Sequence, residues 1–342
     1  MTDPDHPDGP LRWVILGCGT ISSNFVKALS IADRCHQVTC IASTSLEKQR
    51  ISSTNSICPL SQGIWGLQTG YPRRIDDVVY IGLVASEHKP MAIFAMEHGK
   101  HVLCEKPLGL DVEETKRIID AAREHKRFLM EGYWSRFFPA WQSLRSHLSE
   151  IGQIQFVQCN MCFNRKTDHD LSRPISTTDL NKTTDLPSMS HISSNAQLPG
   201  QTKDRILFSG GCYTVMFALW IFQQEMPEKI TAVGQLDEEG NDLWGNVTLE
   251  FSGNRVANLF YSGIVNSLNS ALVAGTNGCF KLPDRFWCST ELVEKFGSNP
   301  HLDNSQVHKF PIAKESKGLL TRMEMHTTWK QTMCMTALNK AD

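Results

Sequence analysis

Residues 11–21 read LRWVILGCGTI, a short apolar run that leads directly into the turn Gly17-Cys18-Gly19. Residues 22–29 then have the pattern of a helix. A strand, a Gly-x-Gly turn and a helix in this order present backbone N–H groups to a pyrophosphate at the helix N-terminus. We therefore predict a dinucleotide site at Gly17 and Gly19. The alternative is an ordinary tight turn, since many such turns contain two glycines.

The segments that follow alternate between strand-like and helix-like patterns. Apolar runs predict strands over residues 36–42, 78–82, 102–104 and 128–130. Helices are predicted over residues 90–98 and 111–125, and the second has Asp111 as a candidate N-cap. Glu114 stands in a capping-box position, and an apolar stripe begins at Val112. Alternation of this length predicts a parallel sheet with helices on both faces.

The stretch HVLCEKPLGL, residues 101–110, ends an apolar strand in Glu105-Lys106-Pro107. In parallel sheets of this kind ligands bind outside the carboxyl ends of the strands. We expect Lys106 to point at the cofactor and the substrate, with Pro107 fixing the turn that aims it. The alternative is an exposed loop lysine without a function.

Composition and charge exclude several classes of protein. The formal net charge is -2 and the pI is about 6.6, so nucleic acid and anionic lipid are not expected partners. The N-terminus MTDPDHPDGP lacks the basic start and apolar run of a signal peptide. Residues 206–224 carry no charge but contain Gly210-Gly211, and we interpret them as a buried core helix rather than a membrane span.

The eleven cysteines predict a cytoplasmic protein with reduced thiols, because the chain is long enough to fold without disulfides. Cys159 and Cys162 form one CxxC in a strand-like run, where residues three apart point to opposite faces. We interpret them as incidental, with a metal or redox pair as the alternative, and predict no metal site. The second strand ends in Ser43-Thr44-Ser45 without an acidic residue, which favours NADP over NAD.

Three motifs together resemble the glucose-fructose oxidoreductase, inositol dehydrogenase and MocA family: GCGTI after the first strand, EKPLGL, and FLMEGYWSRFFPAW. The similarity is greatest to the dihydrodiol and D-xylose dehydrogenase branch of that family. It implies an α/β fold with an N-terminal Rossmann domain over residues 10–134. It also implies a C-terminal α+β domain over residues 135–342, with an open, mainly antiparallel sheet that binds substrate and forms a homodimer.

The resemblance implies oxidation of a vicinal diol or a sugar hydroxyl, with hydride transfer to NADP. The implied catalytic residues are Lys106 and Tyr213, although Tyr213 alone would also fit a core aromatic. The implied cofactor-binding residues are Gly17, Gly19, Thr20, Ile21, Ser43, His88, Glu105 and Lys106. His88 alone would more simply be a surface histidine at a helix start. The implied substrate pocket contains Trp134, Arg136 and Phe137, which would equally suit an amphipathic junction between domains.

Several positions depart from the family pattern. Ser209 stands four residues before Tyr213, where the family has an aspartate, and Ser43 replaces the arginine that binds the 2′-phosphate. The polar insertion over residues 164–203 has a composition that favours disorder. These departures keep two alternatives open: a catalytically impaired NADP-binding paralogue, and a scaffold that binds no nucleotide.

Overall fold

The computed structural model describes residues 10–30, 36–42, 77–164, 205–238, 240–297 and 304–311. It divides into two compact units. The first contains the described residues of Met1–Val157 and Ser270–Asp342, and the second contains those of Gln158–Asn269. The division predicted after residue 134 stays a prediction. Ser43 and the insertion from residue 165 to 203 lie outside the described residues.

The first unit contains a five-stranded parallel sheet in the order β2-β1-β3-β4-β5. Its strands are β1 (Leu11–Leu16), β2 (His36–Ala42), β3 (Val78–Ile81), β4 (His101–Cys104) and β5 (Leu129–Glu131). The helices that alternate with them are α1 (Thr20–Leu29), α2 (His88–Glu97) and α3 (Val112–Glu124). This confirms the predicted Rossmann-like arrangement.

Strands β1, β3 and β4 are buried on both faces along almost all of their length, which explains their continuous apolar runs. Val14 and Leu16 of β1 pack into one apolar cluster, and Trp13 and Ile15 pack into another. Phe25 of α1 belongs to the second cluster and is fully buried. Side chains alternate along a strand, so one strand supplies both cores.

Helix α3 begins at the predicted cap. The side chain of Asp111 accepts the backbone N–H of Glu114 at 2.7 Å. The side chain of Glu114 accepts the N–H of Leu110 at 3.1 Å, so the reciprocal bond goes one residue before the cap. Val112 is 67% exposed, which contradicts its predicted place in the apolar stripe, whereas Ile118 is fully buried. Val112 is the first residue of α3, and its side chain faces solvent.

The remainder of the first unit contains α4 (Pro139–His147) and four antiparallel strands. These strands are β10 (Ala271–Gly275), β11 (Gly278–Leu282), β12 (Glu291–Phe296) and β13 (Gln306–Lys309). They pair consecutively. The indole N–H of Trp141 in α4 donates to the carbonyl oxygen of Phe286 at 2.6 Å, which ties the helix to the segment between β11 and β12.

The second unit contains most of β6 (Ile154–Cys162), together with β7 (Lys229–Leu236), β8 (Asp242–Phe251) and β9 (Arg255–Ser262). Strand β8 pairs antiparallel with both β7 and β9. The predicted antiparallel sheet beyond the Rossmann domain is therefore confirmed. Helix α5 (Cys212–Ile221) supplies several of the buried apolar side chains of this unit, such as Phe217. Within the described ranges, no helix combines the length and hydropathy needed to cross a membrane.

Candidate active site at the carboxyl edge of the parallel sheet

Four parallel strands end at the same level, and the residue after each strand donates its backbone N–H to the last residue of a neighbouring strand. These bonds run from Gly17 to Ala42 at 2.8 Å, from Gly82 to Leu16 at 2.8 Å, from Glu105 to Ile81 at 2.9 Å and from Gly132 to Cys104 at 2.7 Å. They bring the Gly-x-Gly turn, the Glu105-Lys106-Pro107 turn and the segment after β5 to one edge. This is the edge at which parallel sheets bind ligands.

The predicted cofactor turn leaves space for a pyrophosphate. Gly17 has φ 101°, in the region that favours glycine. Gly19 is the N-cap of α1; among the described residues no side chain caps the helix, and a Cβ at Gly19 would meet no atom within 4 Å. Thr20 and Ile21 open the helix, whose first turn contains no acidic residue. The free helix N-terminus and the open space in front of Gly19 fit the phosphates of a dinucleotide.

Glu105 is held at the end of β4 by a buried hydrogen bond. Its side chain is 7% exposed and accepts the hydroxyl of Tyr80 at 2.7 Å. Tyr80 is fully buried and stacks on Phe25, with ring centroids 4.0 Å apart. Lys106 follows as a half-buried residue, and the Lys106–Pro107 peptide bond is cis.

His88 opens α2 and is 1% exposed, so the alternative interpretation as a surface histidine is wrong. Its Nδ1 lies 2.7 Å from the carbonyl oxygen of Pro107, and its Nε2 lies 3.1 Å from that of Leu83. The ring therefore lies between the segments that follow β3 and β4. A direct contact between His88 and the cofactor stays a prediction.

Glu131, the last residue of β5, is a site residue that the sequence did not reveal. Its Oε1 accepts the backbone N–H of Leu108 at 2.8 Å. Burial raises the pKa of Glu131 above its usual range, while the bond from Leu108 and the charges of Arg136 and Lys106 act in the opposite direction. The signal was present in the motif MEGYW, where an acidic residue ends an apolar strand.

The three predicted pocket residues lie in the 3-10 turn Trp134–Phe137, directly after β5. Trp134 is 9% exposed and packs edge-on against Phe138. The Arg136 guanidinium lies 6.0 Å from the ring centroid of Tyr133, and its Nε is buried without a hydrogen-bond partner among the described residues. Burial also lowers the pKa of Arg136 from its ordinary value. Trp134 and Arg136 thus lie at the same edge as Lys106.

Tyr213 belongs to the second unit. It is the second residue of α5 and is 5% exposed. A π-helical turn, Leu207–Gly211, precedes it and contains the exposed Ser209. Such turns frequently occur at functional sites. The site role and the core role predicted for Tyr213 both remain compatible with this position.

Asp242, at the start of β8, supports that turn and was also not predicted. Its Oδ2 accepts the backbone N–H of Leu207 at 2.7 Å. Burial and the Asp242 carboxylate raise the pKa of Tyr261 to about 12. A Cβ at Gly211 would lie 2.7 Å from the Tyr261 ring, so glycine permits α5 to pack closely on β9.

In the described part of the chain, no cluster of three or more His, Cys, Asp or Glu side chains has a metal-binding arrangement. Cys159 and Cys162 are free thiols in β6. Burial raises the pKa of both thiols, which disfavours the thiolate form that metal binding and redox exchange use.

The chain was compared with known families and proteins. Residues 11–133 match an oxidoreductase family with an NAD-binding Rossmann fold, and residues 147–281 match the GFO/IDH/MocA C-terminal domain. Trans-1,2-dihydrobenzene-1,2-diol dehydrogenase of Xenopus tropicalis is 31% identical over 311 residues, which cover 90% of this chain and 83% of the relative. The Homo sapiens protein of the same name is 32% identical over 288 residues, which cover 83% and 78% of the two chains.

Solved structures agree on the fold. KijD10, a 3-ketoreductase from Actinomadura kijaniata in complex with NADP and TDP-benzene, superposes with a TM-score of 0.71 at 18% identity, over 97% of this chain and 90% of its own. Fold and sequence together define an oxidoreductase with a nucleotide-binding Rossmann domain. The chain belongs to the GFO/IDH/MocA family, as its motifs led us to expect.

Proposed function

We propose that this protein is an NADP-dependent oxidoreductase that oxidises a vicinal diol or a sugar hydroxyl. The candidate substrates are a trans-dihydrodiol, which would yield a catechol, and D-xylose, which would yield its lactone. The observation that carries the proposal is a half-buried lysine, Lys106, at the carboxyl end of β4, on the edge that also holds the Gly17–Gly19 turn. The curated relatives named above are dihydrodiol dehydrogenases, which supports the first substrate class.

The proposed cofactor site consists of the open N-terminus of α1 and the turns beside it. Gly17, Gly19, Thr20 and Ile21 would hold the pyrophosphate, and Glu105 and Lys106 would adjoin the nicotinamide. When bound, NADP+ supplies the hydride acceptor. The preference for NADP over NAD is supported by the absence of an acidic residue at Ser43-Thr44-Ser45 and by the NADP in the structure of KijD10.

The chain's own residues supply proton transfer and substrate binding. Lys106 in its neutral form would accept the proton of the substrate hydroxyl, as a general base positioned at the site. Arg136, whose buried Nε has no hydrogen-bond partner in the described part of the chain, would donate to a substrate oxygen, and Trp134 and Phe137 would pack against its carbon skeleton. We propose Tyr213 as a second hydroxyl that contacts substrate. The homodimer and the cytoplasmic location also stay predictions.

A second candidate function rests on Ser209. It stands where the family has an aspartate, one helical turn before Tyr213, and serine carries no negative charge. The second candidate is therefore a protein that binds NADP but oxidises substrates slowly. Cofactor binding does not distinguish the two candidates, but turnover does.

One experiment tests both. Formation of NADPH from NADP+, or of NADH from NAD+, is followed by near-ultraviolet absorbance with a trans-dihydrodiol or D-xylose in excess. NADPH binding is measured separately by quenching of tryptophan fluorescence. Turnover with NADP+ supports the enzyme. Binding without turnover supports the impaired paralogue, and the absence of both contradicts the two proposals and favours a scaffold.

A further inference from the structure

One peptide group next to Lys106 is held at both of its polar atoms by side chains from distant parts of the chain. The carbonyl oxygen of Pro107 lies 2.7 Å from Nδ1 of His88. The N–H of Leu108, in the same peptide group, donates to Oε1 of Glu131 at 2.8 Å. Two bonds at opposite ends of a planar group fix its orientation as well as its position.

Both side chains are themselves anchored. His88 is 1% exposed at the start of α2, so burial holds its ring in place. A neutral imidazole carries one N–H, and the clamp uses it at Nδ1 to donate to the carbonyl oxygen of Pro107. Glu131 ends β5 and pairs in register with Cys104 of β4. The next residue, Gly132, donates its N–H to the Cys104 carbonyl at 2.7 Å. Neither side chain is a surface group that is free to leave the peptide.

The backbone before Lys106 is fixed in a comparable way. The N–H of Glu105 donates to Ile81 at 2.9 Å, and its carboxylate accepts the Tyr80 hydroxyl at 2.7 Å. The backbone of Lys106 lies between Glu105 and the Pro107–Leu108 peptide, which are both held by hydrogen bonds. This backbone sets the direction in which the Lys106 side chain leaves the chain.

We propose that His88 and Glu131 are positioning residues that clamp the Pro107–Leu108 peptide and thereby aim Lys106. This inference rests on the proposed function, in which Lys106 accepts the substrate proton. A small misplacement of a reacting group is costly: a shift of about 1 Å can lower a rate roughly a hundredfold. This role requires no contact between His88 and the substrate, because His88 acts on the reaction through Pro107.

Two matched pairs of variants isolate the clamp. Glu131→Gln and Glu131→Met both remove the negative charge, but only glutamine keeps an oxygen that accepts the Leu108 N–H. In His88→Asn the side-chain amide nitrogen can replace Nδ1 and donate to Pro107. In His88→Gln the amide instead reaches the place of Nε2, next to Leu83.

The first readouts do not depend on turnover. One is the hydrogen-exchange rate of the Leu108 amide. The other is the rate at which dilute acetic anhydride acetylates Lys106 relative to the exposed Lys116, measured by mass spectrometry on folded protein. Leu108 exchange should be about tenfold faster in Glu131→Met than in Glu131→Gln. The relative acetylation rate of Lys106 should differ by roughly threefold or more within each pair.

Turnover gives the second readout. The kcat for diol oxidation should be about tenfold lower in Glu131→Met than in Glu131→Gln, and likewise lower in His88→Gln than in His88→Asn, with KM for NADP+ similar within each pair. Equal Leu108 exchange and equal Lys106 acetylation within both pairs would overturn the clamp. If the wild type has no turnover, the proposed function fails, but the exchange and acetylation rates still decide for or against the clamp. If Glu131→Met does not fold, the His88 pair decides.

Discussion

Gly17 and Gly82 approach each other so closely that a Cβ at Gly17 would lie 2.5 Å from the Gly82 carbonyl oxygen. Gly17 also has φ 101°, a backbone angle that residues other than glycine rarely adopt. Gly19, in the same turn, has φ -76° and open space where a Cβ would be. The first glycine is therefore required by packing, and the second leaves room for a phosphate.

The two glycines should respond differently to alanine. Gly17→Ala should lower the free energy of unfolding by roughly 2–4 kcal/mol, because both its φ and its contact with Gly82 exclude a Cβ. Gly19→Ala should change it by less than about 0.5 kcal/mol. NADPH binding by Gly19→Ala should nevertheless weaken about tenfold or more, since the methyl group enters the phosphate site. Urea unfolding and fluorescence titration measure the two effects. Unaltered NADPH affinity in Gly19→Ala would contradict the proposed cofactor site.

The buried bond between Tyr80 and Glu105 should contribute to stability. Tyr80→Phe keeps the ring stacked on Phe25 but removes a hydrogen bond to a carboxylate that is 7% exposed. We expect a loss of about 1–3 kcal/mol in the free energy of unfolding. A double-mutant cycle with Glu105→Gln, measured by urea unfolding, isolates the pair. Strictly additive effects would mean that the two side chains do not interact.

The free energy of unfolding should depend on pH through the buried His101. Its Nδ1 accepts the Phe128 N–H at 2.9 Å, and burial, assisted by Arg127, lowers its pKa to about 4. The folded state thus favours neutral His101, and the unfolded chain binds the proton more tightly. The contribution of neutral His101 to the free energy of unfolding is therefore fully present above the pKa of the unfolded state, about 6.5. It is lost as the pH falls towards 4.

We expect the wild type to lose about 1–2 kcal/mol more than His101→Asn between pH 7 and pH 4.5. Asparagine keeps an acceptor near the Nδ1 position but does not titrate. Urea unfolding at several pH values provides the comparison. Parallel stability curves for the two proteins would show that His101 does not titrate differently on folding.

A substitution at Ser209 tests the alternative that the protein binds NADP but is catalytically impaired. It is exposed in the π-helical turn that precedes α5, so an aspartate fits there without displacing the core. Ser209→Asp should raise the rate of diol oxidation by about tenfold, because it restores a charge beside the proposed catalytic tyrosine. Ser209→Asn, of equal size and without charge, is the control. Equal rates in the two variants would mean that the missing charge does not limit turnover.

The sequence predicted the parts of the fold that depend on local pattern. The central strands β1, β3 and β4 are buried on both faces, so each one forms an apolar run that can be recognised. Strand β2 occupies the predicted residues 36–42. The prediction that Val112 belongs to the apolar stripe was wrong. Helical periodicity alone places Val112 on the stripe, but as the first residue of α3 it is exposed to solvent. Helical periodicity does not indicate which residues at the end of a helix extend beyond the sheet against which the helix packs.

Residues of the candidate site could be predicted only where the residue type and its position after a strand allow few structural or chemical roles. The glycines of the turn and Lys106 after β4 were predicted because their positions after strands limit their roles. Glu131 was not predicted: its position at the end of an apolar strand was visible, but its partner was not, because the bond spans 23 residues and uses the backbone N–H of Leu108. Asp242 was missed for the same reason, because its partner is the backbone of Leu207.

The most direct test of the account is the initial rate of NADPH formation from a trans-dihydrodiol in Lys106→Met. Lys116→Met, at an exposed position on α3, is the matched control. The account predicts a rate about a hundredfold or more below that of the wild type, because a general base is lost. It also predicts that Lys106→Met still binds NADPH, because the phosphate site at Gly17 and Gly19 is unchanged, and that the control behaves as wild type. A Lys106→Met protein that oxidises the diol at the wild-type rate would contradict the proposed role of Lys106.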